Sequence, residues 1–329
     1  MRSNIYILFF PRKFMSRKRG SVGLIVTIVL VVLIIVAIGF FALRGNDSST
    51  GETNDIKEIM NSTVNIHNNE YSPEFDAMLS SYNDFYASPY TSQSEVDNGL
   101  RGVDSAKQSI VKINSSLREI FTLINSGLAS AEGSQKEWFE KAKQCYDAKQ
   151  NAINEFSAST NEYGTIIRYY EKDLQFWNLG EQFDNLRTVI YNEVMIQEDD
   201  DAGSETLADL NMKYDEMVSA AEAANSLIPL ASYAKLQVFF RTTNETLALW
   251  PEVIDASSDQ ERFDEYKAVS DKETGAYAQY DEWSSQQDNE IDQWFLTNIK
   301  SHDIKAGQYR QEETAACDRA ASLWASAYY

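Results

Sequence analysis

The sequence predicts an all-α protein in which a single N-terminal transmembrane helix precedes an elongated extracytoplasmic helical bundle with long antiparallel helices. Residues 21–43 contain no charged side chain, and residues 90–228 and 252–329 contain no proline. Along most of the chain after residue 90, apolar residues recur at intervals of three or four. Proline interrupts helices, and this interval places apolar side chains on one helix face, so both features favour long amphipathic helices.

The charge of the chain is divided unevenly. The 329 residues include 29 Lys and Arg and 50 Asp and Glu, which gives a formal net charge of −21. Residues 1–46 hold seven of the bases and none of the acids, so residues 47–329 hold 22 bases, 50 acids and a net charge of −28. Because phosphate recognition needs a basic face, we expect no nucleic-acid partner.

Residues 21–43 predict a membrane-spanning helix. A helix of this length covers about 34 Å, and the hydrocarbon core of a bilayer is about 30 Å thick. A cleaved signal peptide has a shorter apolar core followed by a small-residue cleavage site. Here the segment ends in Phe40-Phe41-Ala42-Leu43-Arg44, which does not fit that pattern. We therefore expect an uncleaved signal anchor in contact with the lipid bilayer.

The flanking charges predict the orientation of this helix. Six of the seven N-terminal bases precede the apolar segment. The positive-inside rule then places residues 1–20 in the cytoplasm as a basic flank, and the C-terminal domain on the outer side of the cell membrane. Met1 and Met15 are both candidate start residues.

Beyond the membrane segment, the sequence predicts a juxtamembrane segment at 44–93 with short helices and an all-helical ectodomain at 94–329. The longest apolar stripes predict helices at 134–198 and 258–327. Each of these helices is either continuous or divided into two stacked helices. The candidate points of division are the internal glycines Gly164, Gly180, Gly275 and Gly307.

Turn-forming residues separate the predicted helices. Residues 130–134, 198–204 and 255–258 combine small and acidic side chains, which are typical of helix ends. Ser134 stands three residues before Glu137, and this spacing predicts a capping box at the start of the first long helix.

Two parts of the ectodomain resemble one another. At a constant offset of 124, six residues of one part are the same as six of the other. They are Ser134, Glu137, Phe139, Lys143, Asp147 and Ala152, which match Ser258, Glu261, Phe263, Lys267, Asp271 and Ala276. A duplication of 94–198 as 204–327 would account for these matches. The shared pattern of two amphipathic helices would account for them equally.

Cys145 and Cys317 are the two cysteines of the chain. Cys145 lies 11 residues after the start of the first long predicted helix, and Cys317 lies 12 residues before the end of the chain. If these helices pack antiparallel along their full length, the two positions are level, and a disulfide can persist outside the cell. Two buried free thiols are the alternative, because cysteine is among the most buried residue types.

Three Asn-x-Ser/Thr sequons lie on the predicted exterior side. Asn61, Asn114 and Asn244 are therefore candidate glycosylation sites.

The sequence offers no catalytic, cofactor-binding or metal-binding set. His67 and His302 are the two histidines, and neither has a cysteine or another histidine at ligand spacing. Phosphate-binding glycine loops, metalloprotease helices and nucleophile elbows are missing from the sequence. Two Ser-x-x-Lys matches, at 109–112 and 232–235, lack the companion motifs of the enzymes that use this pair. We therefore expect no enzymatic activity, cofactor or metal.

Together these features predict a single-pass, membrane-anchored surface protein with a structural or protein-interaction role, which binds a protein partner or itself. The alternative is a sensory or solute-binding ectodomain that acts with a membrane partner and resembles the helical-bundle sensors of chemoreceptors. A pilin-like subunit is a third hypothesis, because Lys18-Arg19-Gly20 resembles a prepilin peptidase site, although Ile25 stands where bacterial pilins commonly carry glutamate. An extracytoplasmic hydrolase comes last.

Overall fold

The computed structural model describes residues 51–86 and 90–328. Over these ranges the chain is helical and contains no β-strand, so the prediction of an all-α helical bundle is confirmed. None of the helices described is both long and apolar enough to cross a membrane. The predicted basic flank at 1–20 and membrane helix at 21–43 lie outside the described residues.

The helices follow one another with short connections. In chain order they are α1 (Gly51–Ile66), α2 (Ser72–Tyr86), α3 (Gln93–Ser130), α4 (Gly133–Asn192), α5 (Asp200–Leu227), α6 (Tyr233–Leu247), α7 (Trp250–Ile254), α8 (Asp259–Phe295) and α9 (Ser301–Tyr328). π-Helical turns join α1 to α2 (His67–Tyr71), follow α4 (Glu193–Gln197) and join α8 to α9 (Leu296–Lys300). Such turns are rare and are frequent at functional sites.

The two longest predicted helices are continuous rather than divided into stacked pairs. Helix α4 and the π-helical turn after it run without a break from 133 to 197, and α8, its π-helical turn and α9 run from 259 to 328. All four internal glycines lie within these helices. A glycine inside a helix costs about 1 kcal/mol relative to alanine, which the packing of the surrounding apolar stripe can offset.

The capping box predicted at Ser134 is wrong. Helix α4 begins one residue earlier, at Gly133, whose φ of 55° is the left-handed conformation that favours glycine. The Ser134 hydroxyl donates instead to the carbonyl of Ser326 at 2.8 Å. A variant of the capping box is present at the start of α8. The backbone N–H of Glu261 donates to the Ser258 hydroxyl at 3.3 Å, and the Glu261 carboxylate accepts the backbone N–H of Ser257 at 2.8 Å.

The described helices form two compact units. The central unit, named for its place in the sequence, comprises residues 90–96 and 165–295. The disulfide unit comprises residues 51–86, 97–164 and 296–328. Helix α4 contributes its first part to the disulfide unit and its second part to the central unit.

In the disulfide unit, α4 and α9 run antiparallel. Contacts between them pair Ser134 with Ser326, Cys145 with Cys317, Lys149 with Glu313 and Ser159 with Asp303, so the partner's number falls as the α4 number rises. The apolar stripe of α3 is buried against this pair, and the fully buried side chains of the unit include Met60, Met78, Phe85, Ile113, Leu117, Ile120, Ile124, Phe139 and Ile153.

In the central unit, the second part of α4 runs antiparallel to α8. Arg187 pairs with Glu273, and Tyr191 packs on Tyr266. Two apolar clusters fill this unit. One is built around Phe176, Phe239, Phe240, Tyr280 and Trp283, and the other around Ile190, Leu210, Trp250, Val253 and Val269.

Gly203 marks a close approach between α5 and the π-helical turn after α4. A Cβ at this position would lie 2.3 Å from Cγ2 of the buried Val194. We therefore expect Gly203→Ala to lower the free energy of unfolding by about 1–3 kcal/mol, because Val194 cannot move without disturbing its core. Urea unfolding of the full chain measures this loss. The matched control is Gly275→Ala, where nothing lies within 4 Å of the new Cβ. There we expect a gain of up to about 1 kcal/mol, and an equal loss at both positions would contradict the prediction.

Candidate functional site

The disulfide unit contains three buried or half-buried charged residues in contact, Lys149, Arg310 and Glu313, which we call the charge cluster. Lys149 Nζ donates to Oε1 of the Glu313 carboxylate at 2.5 Å, and Arg310 Nη1 donates to Oε2 at 2.7 Å. The side chains of Lys149 and Glu313 are 6% and 9% exposed. A buried ion costs several kcal/mol unless it is paired and hydrogen-bonded. Here the carboxylate of Glu313 provides that pairing for both Lys149 and Arg310.

Aromatic rings cover the charge cluster. The Lys149 ammonium lies 4.8 Å from the centroid of the Tyr71 ring and 6.0 Å from that of Tyr146. The Arg310 guanidinium lies 4.4 Å from the Phe75 ring centroid. Each cation is therefore stabilised by a π face as well as by the carboxylate, at about 0.5–2 kcal/mol per contact.

His67, in the first π-helical turn, lies beside the charge cluster. Its ring stacks on Tyr71 with centroids 5.2 Å apart and meets Tyr146 edge-on at 5.8 Å. The Nδ1 atom of His67 and the hydroxyl of Tyr71 are buried, and neither has a hydrogen-bond partner among the described residues. Burial, with the nearby positive charges of Lys149 and Arg310, lowers the pKa of His67 to about 3. The imidazole is therefore neutral at pH 7.

We expect His67→Phe to flatten the dependence of stability on acidic pH. Between about pH 6.5 and 3 the unfolded chain binds a proton at His67 and the folded chain does not, so wild-type stability falls as pH falls. The contribution of this histidine approaches about 1.4 kcal/mol for each pH unit in that window. Urea unfolding at pH 7 and pH 4.5 measures the effect. Other titrating groups contribute equally to both proteins, so parallel pH profiles would contradict the prediction.

A disulfide lies one helical turn from the charge cluster. Cys145 and Cys317 are bonded in the structure, with their Cα atoms 4.8 Å apart. Residues four apart occupy the same helix face. Lys149 therefore follows Cys145 on the face of α4 that meets α9, and Glu313 precedes Cys317 on the opposing face. In the sequence the only sign of this arrangement is a lysine at a position that continues the apolar stripe of α4.

The central unit holds a second, separate network of buried charges around Arg187. The guanidinium binds both carboxylate oxygens of Glu273, at 3.0 and 2.5 Å, and one oxygen of Asp184 at 2.9 Å. The Tyr277 hydroxyl donates to Asp184 at 3.1 Å and also contacts Arg187. Burial raises the pKa of Asp184 to about 6, although its contacts with Arg187 and Tyr277 act in the opposite direction.

Aromatic side chains form much of the first apolar cluster of the central unit. Phe176, Trp177, Tyr280 and Trp283 meet edge-on or tilted, with centroids 5.4–5.8 Å apart. The cavities of the central unit include one beside Trp283 and one beside Arg187, and each of these two has a volume of about 10 Å³. That volume holds about one water molecule.

The three sequon asparagines all lie on helices. Asn61 is exposed and donates to the Tyr328 hydroxyl at 2.8 Å, Asn114 is half-buried and accepts from Gln150 at 2.8 Å, and Asn244 is exposed. Their glycosylation remains a prediction. The hydroxyl residues of the sequons are buried: Thr63, Ser116 and Thr246.

The residues of the Ser-x-x-Lys match at 109–112 and His302 lie next to carboxylates. Ser109 and Lys112 both bind Glu74, at 3.2 and 2.8 Å. His302 Nδ1 lies 2.6 Å from a carboxylate oxygen of Glu155. Within 51–86 and 90–328, no group of three or more His, Cys, Asp or Glu side chains is arranged to hold a metal ion.

The structure therefore points to the charge cluster, with its π-helical turn and neighbouring disulfide, as the candidate site. Sequence reasoning singled out Cys145 and Cys317 but missed Lys149, Arg310 and Glu313. Comparison of the chain with protein-family models, with curated proteins and with solved structures gave no match.

Proposed function

We propose that the chain is a single-pass membrane-anchored surface protein whose acidic helical bundle has a structural or protein-interaction role. The observation that carries the proposal is the division of charge. Residues 1–46 contain seven bases and no acid, and six of these bases precede the uncharged segment 21–43. Residues 47–329, which follow it, have a net charge of −28. The lipid bilayer is then the partner of 21–43, and a protein or a second copy is the partner of the bundle.

The cysteine pair supports an extracytoplasmic location for the bundle. Disulfides form and persist in oxidising compartments and are rare in the reducing cytoplasm. The Cys145–Cys317 bond joins residues 172 positions apart, so it closes much of the bundle into one covalent loop.

Side-chain packing supports a structural or interaction role over solute binding or catalysis. The cavities beside Trp283 and Arg187 have room for about one water each. Within the disulfide unit the charged groups of the charge cluster bind one another, and within the central unit Arg187 binds Glu273 and Asp184. Exposed apolar side chains such as Ile196 (64%) and Phe263 (48%) offer contact points for a partner. We assign no enzymatic activity to the chain.

Protease protection of intact cells tests the orientation. A protease added outside should digest residues 47–329 and spare an epitope tag placed before residue 1. The cysteines give an independent measurement, because blocking thiols before extraction should leave Cys145 and Cys317 unmodified until reductant is added. Protection of the bundle together with immediate thiol labelling would overturn the proposal.

The role of the bundle requires a separate experiment. Sedimentation of the detergent-extracted full chain over a range of concentrations measures self-association, and crosslinking on intact cells identifies protein neighbours. A thermal-shift screen against small solutes tests the sensory alternative. A single solute that clearly raises the midpoint of unfolding would favour that alternative over an interaction role.

A further inference from the structure

We propose that Lys149 and Glu313 become joined by an isopeptide bond, which links α4 to α9 covalently one turn from the disulfide. The proposal begins with placement. The Lys149 amine is 2.5 Å from one oxygen of the Glu313 carboxylate, and both side chains are almost completely buried. Two groups that can condense to an amide are therefore in contact, in a part of the protein that excludes water.

The surroundings hold this contact in place. Tyr71 and Tyr146 cover the Lys149 amine, and the Cys145–Cys317 bond fixes the register of the two helices one turn away. Reactive groups held in this way behave as if one were present at a very high concentration, of the order of 10⁵–10⁸ M when the alignment is good. Condensation then needs no separate encounter between the two groups.

Burial also reduces the stabilisation by ionisation that normally prevents an amine and a carboxylic acid from condensing in water. In water, ionisation to ammonium and carboxylate stabilises the separated groups relative to the amide. A low-dielectric site disfavours both ions. Burial lowers the pKa of Lys149, although Glu313 acts in the opposite direction. Transfer of one proton from Lys149 Nζ to Oε1 of Glu313 gives a neutral amine next to a carboxylic acid.

The condensation is balanced without any other reagent. The lone pair of Lys149 Nζ attacks Cδ of Glu313, and the carbonyl electrons move to Oε2. Arg310 donates to Oε2 at 2.7 Å, so it can stabilise the negative charge that develops there. A second proton passes from Nζ to Oε1, the Cδ–Oε1 bond breaks, and Oε1 leaves as water. The products are one amide and one water molecule, with no oxidation or reduction.

Peptide mapping of the full chain tests this proposal directly. After denaturation, reduction, alkylation and trypsin digestion, we expect a branched peptide that contains residues 144–168 and 311–319. Its mass should be lower than the sum of the two alkylated peptides by one water, and trypsin should not cut after Lys149, because the amide removes the charge that trypsin recognises. Fragmentation should place the link at Glu313 and not at Glu312. Two linear peptides, with cleavage after Lys149, would overturn the proposal and leave an ion pair.

The chain contains a matched internal control. Lys143 and Asp147 form an ion pair of 2.9 Å on the same helix, but their side chains are 42% and 49% exposed. We expect no link there. A link between Lys143 and Asp147 at similar yield would mean that sample handling produces the condensation, and it would overturn the proposal.

Two variants test the roles of the residues. Lys149→Arg should abolish the branched peptide, because a guanidinium remains protonated and is a poor nucleophile. Arg310→Met should slow formation of the link by about 100-fold in newly made chains, the usual effect of losing one oxyanion donor. If Lys149→Arg chains still give the branched peptide, the assignment is wrong. Circular dichroism of each variant checks that it folds, and the wild-type peptide map decides the question if one does not.

Discussion

In chains that lack the Lys149–Glu313 amide, replacing both Cys145 and Cys317 with serine is expected to lower the free energy of unfolding of the disulfide unit by about 3–5 kcal/mol. Where the amide is present it already closes a loop of similar length, and the loss should be smaller. The disulfide joins residues 172 positions apart. In the chain-entropy model a loop this long stabilises the folded state by about 5 kcal/mol, by restricting the unfolded chain, and engineered cases often give less. Hydrogen exchange of the full chain measures the loss, followed at peptides from 133–164 and 301–328.

The same bond predicts that the two cysteine substitutions are not additive. Cys145→Ser alone should cost as much as the double replacement, because either change removes the bridge. Reductant should weaken protection in the wild type and leave the double variant unchanged. Equal protection of the reduced and oxidised forms of chains that lack the Lys149–Glu313 amide would contradict an entropic contribution of this size.

The helices could be predicted because their signal is local. In α3 the residues Val96, Val103, Ile110, Ile113 and Leu117 are separated by seven, seven, three and four positions. These steps keep them on one helix face, and all five are buried. The break predicted at 198–204 is a turn at 198–199 that contains its own cap, since Asp199 accepts the backbone N–H of Ala202 at 3.1 Å, and α5 already begins at Asp200. Each element of this kind is specified by residues within a few positions of one another.

Features that depend on distant partners could not be predicted. Ser134 has the spacing of a helix cap, but its hydroxyl bonds to Ser326, 192 positions away. Phe139 and Phe263 are equivalent in the proposed repeat, yet Phe139 is fully buried and Phe263 is 48% exposed. The repeat therefore stays a prediction, because a shared apolar pattern does not specify what each helix packs against.

For the same reason, only the two cysteines beside the candidate site could be predicted from the sequence. Cys145 and Cys317 could be related because each lies a similar distance from one end of a long predicted helix. Lys149 and Glu313 obey the same geometry, but lysine and glutamate are mostly exposed, so their residue types predict the opposite of the burial found here. A charged residue on an apolar stripe, level with a cysteine, is the signal that would have found Lys149.

Arg187→Met is expected to destabilise the central unit by about 3–5 kcal/mol at pH 7. The change leaves the carboxylates of Asp184 and Glu273 unpaired while they are only 17% and 16% exposed. Removing one partner of a buried ion pair costs this much because the remaining charge keeps its desolvation penalty. Hydrogen exchange at peptides from 165–192 and 259–295 measures the loss. The exposed Arg241 supplies the matched control, since Arg241→Met should change stability by no more than about 0.5 kcal/mol.

The pH dependence separates lost charge from lost packing in this variant. Without Arg187, the folded-state pKa of Asp184 should rise further above its unfolded value, because the attraction that opposes the effect of burial is lost. The folded variant then binds more protons than the unfolded chain as pH falls, so its stability relative to wild type should recover toward pH 4. Arg187→Lys should lie between the two proteins, because an ammonium keeps the charge but cannot bind both oxygens of Glu273 while it reaches Asp184. A deficit of equal size at pH 7 and pH 4 would mean that Arg187 acts through its packing alone.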